Sequence, residues 1–483
     1  MPIGLAYIAS SLRKAGFTIK VIDAFGEKPR QVRHEGKFLI LGLTSDDIIR
    51  EIPSDCRVIF VYAINLTNHI STIGIVEAVK QKFKDIPLIV VENTQAVTAY
   101  ALSYVAESFY KAGADYVLTG EGEQRAIDLV HALINGSRKD VRQLDGIGSR
   151  EFYNAPIGTI TNLDALPFPA WDMFPLKNYW DIRFAHGPFT KKRYLPILTS
   201  RGCPYQCGFC VIPKTNNRAW RKRSAKNVVD EIEYFSHTYS IQEFHIEDVD
   251  PTISDERIRD ICRDIISRKL NINWKIVSGT KAETIRDEET IDLMAKAGCR
   301  YVSISPESGS PHVLKLMNKP FNLAHAERIA AHMGRVGIRL QVCFVLGFPG
   351  ETEEDLKMTW DLVHRLTRKG IDEIALFIIT PVPGSAIYES FYGYKSLSEL
   401  NFSPTWRDDY ERLSRFRLDL YKHFLLWKLL YHPLKFLKQP LNFMLRRFET
   451  KMEMVPYRTL SIYLYGIRQS LADAFLRRSS GHA

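Results

Sequence analysis

The chain has 483 residues, of which 45% are hydrophobic and 25% charged, and these globular proportions exclude a disordered, collagenous or repeat-dominated protein. Its seven cysteines are too few for a disulfide scaffold, and three of them fall within eight residues, which favours a metal site in a reducing compartment. The net charge is +10, but the segment from Glu411 to Arg478 alone carries 14 Lys/Arg against 5 Asp/Glu. Because the rest is nearly neutral, the charge alone does not indicate a nucleic-acid-binding protein.

The first 135 residues alternate short apolar runs with amphipathic stretches, which predicts a doubly wound, Rossmann-like sheet of parallel strands. The predicted strands are 18–23, 38–43, 58–63, 87–91 and 116–119, and the predicted helices are 5–15, 71–83, 100–112 and 124–133. Sheets of this kind usually begin with a strand, whereas this chain enters a helix almost at once, so we expect the first strand to be missing. Ligands bind such sheets at the carboxyl ends of their strands.

Residues 136–193 form a predicted connector, in which Pro167 and Pro169 exclude a helix. A second alternation follows over 194–400. Its predicted strands are 195–199, 243–247, 274–278, 301–305, 340–346 and 373–379, and its predicted helices are 225–236, 256–268, 289–297, 324–336 and 353–368. Six βα units are too few for a closed eight-stranded barrel and predict a partial (βα)6 barrel of the TIM type. Such barrels place their chemistry at the carboxyl ends of the strands.

Three cysteines directly follow the first barrel strand, with the spacing C-x3-C-x2-C. They are Cys203, Cys207 and Cys210. Three thiolates on one short loop can bind three irons of a 4Fe–4S cluster and leave the fourth iron open to a small molecule. The alternatives are a zinc site or cysteines that simply pack. Zinc usually takes four protein ligands, and no second Cys or His pair lies nearby.

This motif, at this position, resembles the cysteine motif of the radical S-adenosylmethionine (SAM) enzymes. The resemblance implies that the three cysteines bind the cluster and that SAM binds the open iron. It also implies that an electron from the cluster cleaves SAM to a 5′-deoxyadenosyl radical, which abstracts hydrogen from an unactivated carbon. By the same resemblance, five further residues contact SAM: Phe209, Glu247, Asp248, Ser305 and Glu307. The resemblance places Phe209 against the adenine, and it places the carboxylates Glu247 and Asp248, at the end of the second barrel strand, near the SAM ammonium.

Motifs at 2–9, 21–24, 114–123 and 166–172 narrow the resemblance to radical SAM enzymes with an N-terminal cobalamin-binding domain, and it covers residues 1 to about 400. Two features depart from that branch. Residues 92–97 replace its glycine-rich loop, and no Asp-x-His-x-x-Gly motif places a histidine on cobalt, since His69 has no Asp two residues before it. The candidate cobalamin contacts are Asn65, Thr94, Gln95, Gly120 and Glu121.

The resemblance implies a cobalamin-dependent radical SAM enzyme that transfers a methyl group from methylcobalamin to the substrate radical. One alternative is an oxidoreductase or cyclase that acts on a lipid or tetrapyrrole without methyl transfer. A second alternative is a non-catalytic B12- or redox-sensing protein at a membrane. An enzyme of this kind needs an electron donor such as a flavodoxin or ferredoxin, and its substrate is expected to be a small molecule or lipid-like.

The last region, 401–483, interleaves aromatic and aliphatic residues with Lys and Arg, and Pro433, Pro440 and Pro456 are expected to break it into short helices. Two interpretations stay open: a helical cap on the barrel, or a basic amphipathic surface that rests on anionic lipid. No nucleic-acid-binding module accompanies it. Without a secretory signal or an 18-residue apolar run, we expect a cytoplasmic protein, peripheral at the inner face of the membrane if the second interpretation holds.

Overall fold

The computed structural model describes residues 1–36, 38–134 and 141–480, without the side chains of 471–480. A small hairpin of β1 (Val32–Glu35) and β2 (Phe38–Leu41) precedes the first sheet. That sheet has the order β3–β4–β5–β6, in which β3 (Ile59–Ala63), β4 (Leu88–Glu92) and β5 (Tyr116–Leu118) are parallel and β6 (Ile147–Gly148) is antiparallel. The helices of this front domain are Ile3–Lys14, Ala24–Glu27, Ser45–Glu51, His69–Lys82, Leu102–Lys111 and Gly122–Ile134.

Both faces of the front sheet are covered. Alternate residues of β4 enter different cores: Ile89 and Val91 join a cluster with Ile8 of the first helix, whereas Leu88 and Val90 join a cluster with Phe109. A buried strand with apolar residues on both faces is typical of a doubly wound sheet. The predicted front-domain fold class is therefore confirmed.

Two predicted front strands are placed differently. Residues 18–23 form no strand, because no described strand pairs with them and a strand needs a hydrogen-bonded neighbour. The predicted strand at 38–43 is real over Phe38–Leu41, but it pairs antiparallel with β1 rather than joining the parallel sheet.

The second sheet is the predicted partial barrel. Six parallel strands have the order β14–β13–β12–β11–β10–β7, namely β7 (Tyr194–Ile197), β10 (Glu243–Ile246), β11 (Asn273–Thr280), β12 (Cys299–Glu307), β13 (Arg339–Leu346) and β14 (Glu373–Ile378). Two short strands, β8 (Ser200–Arg201) and β9 (Arg221–Lys222), pair antiparallel beside its mouth. The helices are Leu176–Ile182 in the connector, then Ile212–Thr215, Ala225–Tyr239, Asp255–Ser267, Glu288–Lys296, Pro311–Leu316, Leu323–Arg335 and Glu353–Lys369.

The C-terminal region consists of three helices, Tyr410–Tyr431, Pro433–Leu445 and Lys451–Ser480. Pro433 begins the second helix, where its missing N–H costs nothing. Pro440 and Pro456 lie inside helices, so the prediction that they break the region was wrong. No helix of the described residues is long and apolar enough to cross a membrane.

The start of the last helix packs against the amino-terminal end of the barrel. The Met452 N–H donates to Oε2 of Glu373 at 2.8 Å, and the Tyr301 hydroxyl donates to Oε1 of the same carboxylate at 2.5 Å. Phe448 N–H donates to the Phe189 carbonyl at 3.1 Å. This end of the barrel is therefore closed by the chain itself, which leaves the carboxyl ends of the strands for chemistry.

A buried ion pair lies at the same end. Nζ of Lys275 is 2.9 Å from Oε1 of Glu243 and donates to the Pro188 carbonyl at 2.6 Å, and both side chains are fully buried. Burial alone would raise the pKa of Glu243, but Lys275 and His245 lower it to about 2. Each charge depends on its partner, because an isolated buried charge is costly.

We therefore expect Lys275→Met to lower the free energy of unfolding by about 3–5 kcal/mol, because it leaves the Glu243 carboxylate buried without its cation. Chemical denaturation measures the change. The exposed Lys296 gives the control, and Lys296→Met is expected to cost no more than about 0.5 kcal/mol. The double variant Glu243→Gln/Lys275→Met should recover part of the loss. Equal stability of Lys275→Met and the control would show that the pair contributes nothing.

Candidate active site

The cysteine loop leaves β8 through a glycine that the geometry requires. Gly202 has φ +77°, and a Cβ on it would lie 2.1 Å from the Ala219 carbonyl oxygen. Only glycine combines this left-handed backbone with so close an approach. The turn directs Cys203, Cys207 and Cys210 onto one loop at the carboxyl end of the barrel strands, where the sequence predicted the site.

The three thiols are half-buried and close enough to influence each other. Burial raises the pKa of Cys203 and of Cys210 to about 12, and each of these pKa values is raised further by the Cys207 thiol. The Lys319 ammonium acts in the opposite direction on all three thiols. A nearby cation of this kind suits a site that must hold thiolates.

The donor set fits a cluster better than a single ion. Within the described residues, no group of three His, Cys, Asp or Glu side chains could hold one metal ion. A 4Fe–4S cluster binds each thiolate to a different iron and so needs them further apart than a single zinc does. The spacing of the three thiols is therefore compatible with a cluster, as the cysteine motif predicts.

The loop is held from two other elements of the barrel. The Gly208 N–H donates to the Met317 carbonyl at 2.9 Å, and the Asn318 side chain donates to the Gln206 carbonyl at 2.9 Å. On the other side, the Ile387 N–H donates to the Gly208 carbonyl at 3.1 Å. The chain after the fourth and sixth barrel strands thus fixes the position of the cysteines.

Phe209 and Glu307, two predicted SAM contacts, lie together beside this loop. Phe209 packs in an apolar cluster that includes Met317 and Phe348, and the Lys319 ammonium lies 5.8 Å from its ring centroid. The same ammonium is 2.6 Å from Oε1 of Glu307, a buried residue with φ +66° at the end of β12. Sequence reasoning missed Lys319, since nothing in its spacing marks it as a site residue.

Ser305 lies in the barrel interior. Its Oγ is 1.8 Å from the position that a Cβ on Gly279 would take, so the glycine in β11 leaves the room that this hydroxyl occupies. The buried Ser303 Oγ, two residues earlier on β12, donates to the Gln341 side chain at 2.9 Å. The interior beneath the cysteine loop therefore presents hydroxyls.

The two predicted carboxylates after β10 have different roles. Glu247 pairs with Nδ1 of His186 from the connector; burial alone would raise the pKa of Glu247, but His186 and His245 lower it, so it stays ionised. Asp248 is buried and bonded within the barrel domain. It accepts hydrogen bonds from the Thr199 N–H at 2.7 Å, the Thr199 hydroxyl at 2.6 Å and the Ser200 hydroxyl at 2.6 Å. Asp248 therefore fixes the start of the cysteine loop, and its contact with the SAM ammonium stays a prediction.

Glu121, a predicted cobalamin contact, instead joins the two domains. It accepts from Nη1 of Arg201 at 3.1 Å and Nη1 of Arg221 at 2.5 Å, both from the barrel domain, and from the Ile160 N–H at 2.7 Å. Nη2 of Arg201 also donates to Glu123 at 2.6 Å. Burial alone would raise the pKa of Glu121, but the two guanidinium groups lower it. Glu121 is therefore a domain-joining residue.

The carboxyl edge of the front sheet faces the barrel mouth. The loop after β4 contacts the barrel domain through the Thr94 carbonyl, which accepts from Nδ2 of Asn216 at 2.8 Å. Further along, the Ala101 N–H donates to the Pro383 carbonyl at 3.0 Å, just beyond the sixth barrel strand. Two ligand-binding edges of parallel sheets therefore meet across one interface.

The other predicted cobalamin contacts are engaged within the protein. The Gly120 N–H donates to Glu92 at 2.6 Å, the Gln95 amide donates to the Thr94 hydroxyl at 2.8 Å, and Asn65 caps its own turn by accepting from the Asn68 N–H at 3.2 Å. His69 is buried, with Nδ1 3.3 Å from the Tyr100 hydroxyl.

The carboxyl edge of the front sheet carries two exposed apolar side chains. Ile64 follows β3 and Val97 lies in the loop after β4, and both are exposed although apolar. The Ile64 carbonyl accepts from the Asn93 side chain at 2.6 Å, which joins the two loops. The carboxyl edge of the front sheet thus presents two exposed apolar side chains on loops that are joined to each other.

The left-handed glycine before the cysteines gives a sharp test of the cluster assignment. We expect Gly202→Ala to lose most of its bound iron after anaerobic reconstitution, because the new methyl group meets the Ala219 carbonyl and the backbone is strained. Iron and sulfide analysis measures this.

Gly208→Ala is the matched control within the same loop. A Cβ there meets nothing closer than 3.4 Å, so full iron content is expected. If both variants bind iron like the unchanged protein, the loop does not form the cluster site.

Comparison with known proteins agrees with this geometry. Residues 197–363 match the family model of the radical SAM superfamily. The chain is 27% identical over 429 residues to the cytidylyl-2-hydroxyethylphosphonate methyltransferase of Streptomyces wedmorensis, covering 80% of this chain and 77% of the relative. It is 30% identical over 281 residues to the anaerobic magnesium-protoporphyrin IX monomethyl ester cyclase of Rubrivivax gelatinosus, covering 57% of this chain and 48% of the relative.

Two solved structures share the fold. The radical SAM methyltransferase TsrM from Kitasatospora setae, with tryptophan and a SAM analogue bound, has a TM-score of 0.62 at 18% identity over 80% of this chain and 72% of its own. The cobalamin-dependent radical SAM enzyme OxsB, with aqua-cobalamin bound, has a TM-score of 0.60 at 19% identity over 87% of this chain and 54% of its own. The family match lies on the domain that carries the cysteine loop, and the predicted resemblance is confirmed: residues 197–363 match the radical SAM superfamily.

Proposed function

We propose that the protein is a cobalamin-dependent radical SAM methyltransferase that methylates an unactivated carbon of a small or lipid-like substrate. One observation carries the proposal: the carboxyl edge of the front sheet faces the barrel mouth through the Thr94–Asn216 and Ala101–Pro383 hydrogen bonds. A corrinoid bound at the front edge would therefore face the mouth of the barrel. The names of TsrM and of the Streptomyces relative support methyl transfer.

When bound, the cluster supplies the electron that cleaves SAM, and the corrinoid supplies the methyl group. The residues of the chain position these groups. Cys203, Cys207 and Cys210 would hold three irons of the cluster and leave the fourth for SAM. Glu247 offers an ionised carboxylate to the SAM ammonium, and the Lys319–Glu307 pair lies beside Phe209, where the adenine would stack.

The contact between the two domains would also limit the access of water to the site. A carbon radical reacts with any group close to it. The site must therefore hold the methyl donor near the radical and exclude other reactive molecules. The Ser303 and Ser305 hydroxyls line the interior and can orient a polar group of the substrate. On the front domain, exposed apolar residues such as Val97 would contact a bound corrinoid.

A cyclase that makes no methyl transfer is the second candidate, because the chain is 30% identical to the Rubrivivax cyclase over 281 residues. Both candidates require SAM cleavage and an electron donor such as a flavodoxin or ferredoxin. They differ in a second product. A methyltransferase converts SAM to S-adenosylhomocysteine when corrinoid is supplied, whereas a cyclase need not.

Anaerobic assay of SAM turnover tests the enzyme assignment. With a strong reductant the reconstituted protein should form 5′-deoxyadenosine, and with hydroxocobalamin added it should also form S-adenosylhomocysteine. Cys203→Ala should form no 5′-deoxyadenosine. If that variant keeps its activity, the cluster assignment is wrong; if the unchanged protein makes only 5′-deoxyadenosine, the cyclase becomes the better proposal.

Corrinoid retention tests the front edge. After incubation with hydroxocobalamin and desalting, the absorption spectrum should show about one corrinoid per chain. Val97→Glu should weaken retention at least about tenfold, because a carboxylate against an apolar ring costs more than ~1.4 kcal/mol. Leu39→Glu, at an exposed leucine of the β1–β2 hairpin, is the control. Equal retention by both variants would contradict binding at this edge.

A further inference from the structure

The helix Pro433–Leu445 presents its most apolar side outward. Five large side chains with 53% to 82% of their surface exposed recur every three or four residues and so lie on one face. They form what we call the apolar stripe: Leu434, Leu437, Leu441, Met444 and Leu445. A surface helix normally turns such a face to the core.

The inward side of this helix is polar and tightly bonded. Nζ of Lys435 donates to the Gly370 carbonyl at 2.7 Å and lies 3.1 Å from Asp372, and the buried Asn442 donates to Glu453 at 3.0 Å. Rotating the helix to bury the apolar stripe would break all three contacts. The outward direction of the stripe is therefore built into the fold.

Apolar exposure continues on the two neighbouring helices. Leu426 and Leu430 are exposed at the end of the preceding helix, and Leu460, Tyr463 and Leu464 are exposed on the last one. Met444 of the stripe lines one groove together with Leu460 and Leu464 of the last helix, so the apolar surface spans these two helices and marks an interaction surface.

The positive charge of the C-terminal helices indicates what kind of partner this surface binds. The sequence has six Lys/Arg and no Asp or Glu between Asp419 and Glu449. A groove of about 410 Å³ opens between the end of the helix Pro433–Leu445 and the last helix. It is lined by Arg30, Arg446 and Arg468 among apolar residues. None of these arginines has an ion-pair partner in the described part of the chain, and the one carboxylate in the groove, Asp181, pairs with Lys177 at 2.6 Å.

We propose that this surface docks the enzyme onto an anionic lipid bilayer, with the apolar stripe at the acyl boundary and the arginine groove holding lipid phosphates. Apolar residues flanked by cations on an in-plane helix are what such a surface requires. A second copy of the chain fits less well, because a twofold contact would bring the same cations together. The docking does not depend on which reaction the barrel performs.

Co-sedimentation with vesicles tests the proposal. The full chain should bind vesicles made of equal parts phosphatidylcholine and phosphatidylglycerol, and bind phosphatidylcholine alone at least tenfold more weakly. Leu434→Ser should reduce binding at least about tenfold, since it removes a buried leucine from the acyl boundary. Arg446→Gln/Arg468→Gln should reduce binding to the anionic vesicles only.

The matched control is Ile157→Ser, because Ile157 is 88% exposed on the connector and Leu434 is 82% exposed. Both variants should keep the melting temperature of the unchanged protein. The proposal is overturned if the chain does not bind vesicles, if binding does not depend on anionic lipid, or if Ile157→Ser reduces binding as much as Leu434→Ser does. It is also overturned by a dimer in solution that Leu434→Ser dissociates, which would assign the stripe to a second copy, or by stable capture of an acidic protein in place of vesicles.

Discussion

A buried arginine holds the two halves of this molecule together. Arg201 comes two residues before the first cluster cysteine, and its guanidinium binds Glu121 and Glu123 of the front domain with almost no exposure on either side. Burying these charges costs several kcal/mol per ion, which only close mutual pairing offsets. Burial acts to lower the pKa of Arg201, but the two carboxylates raise it overall, so the cation is fixed. The cysteine loop is consequently anchored to both domains.

The ion pair has a chemical consequence. It brings the carboxyl edges of two parallel sheets face to face, with the cysteine loop on one side and the Ile64 and Val97 surface on the other. A radical SAM enzyme must keep its radical away from water and close to its target, and two facing edges provide that enclosure. The closed amino-terminal end of the barrel, where Met452 binds Glu373, leaves this interface as the place for chemistry.

Sequence reasoning predicted correctly the features that depend on the local sequence pattern. Apolar periodicity gave the six barrel strands, and cysteine spacing gave the cluster loop. It gave less where a residue's structure or role depends on partners that lie far away in the sequence. Residues 18–23 have strand-like character but no paired neighbour among the described strands. The partners of Asp248 and Glu121 lie far along the chain, and Lys319 has no local signature. The sequence left two interpretations of the C-terminal region open, because the direction of the apolar stripe depends on what Lys435 and Asn442 bind.

The most direct measurement is the corrinoid affinity of Arg201→Met, taken together with its iron content. Since Arg201 joins the cluster loop to the front domain, we expect this variant to bind iron poorly and to bind corrinoid at least about tenfold more weakly, although the residue lies in the barrel domain. Arg193→Met, which removes an exposed arginine just before β7, should change neither. A folded Arg201→Met protein with full iron content and unchanged corrinoid affinity would contradict the coupling of the two domains.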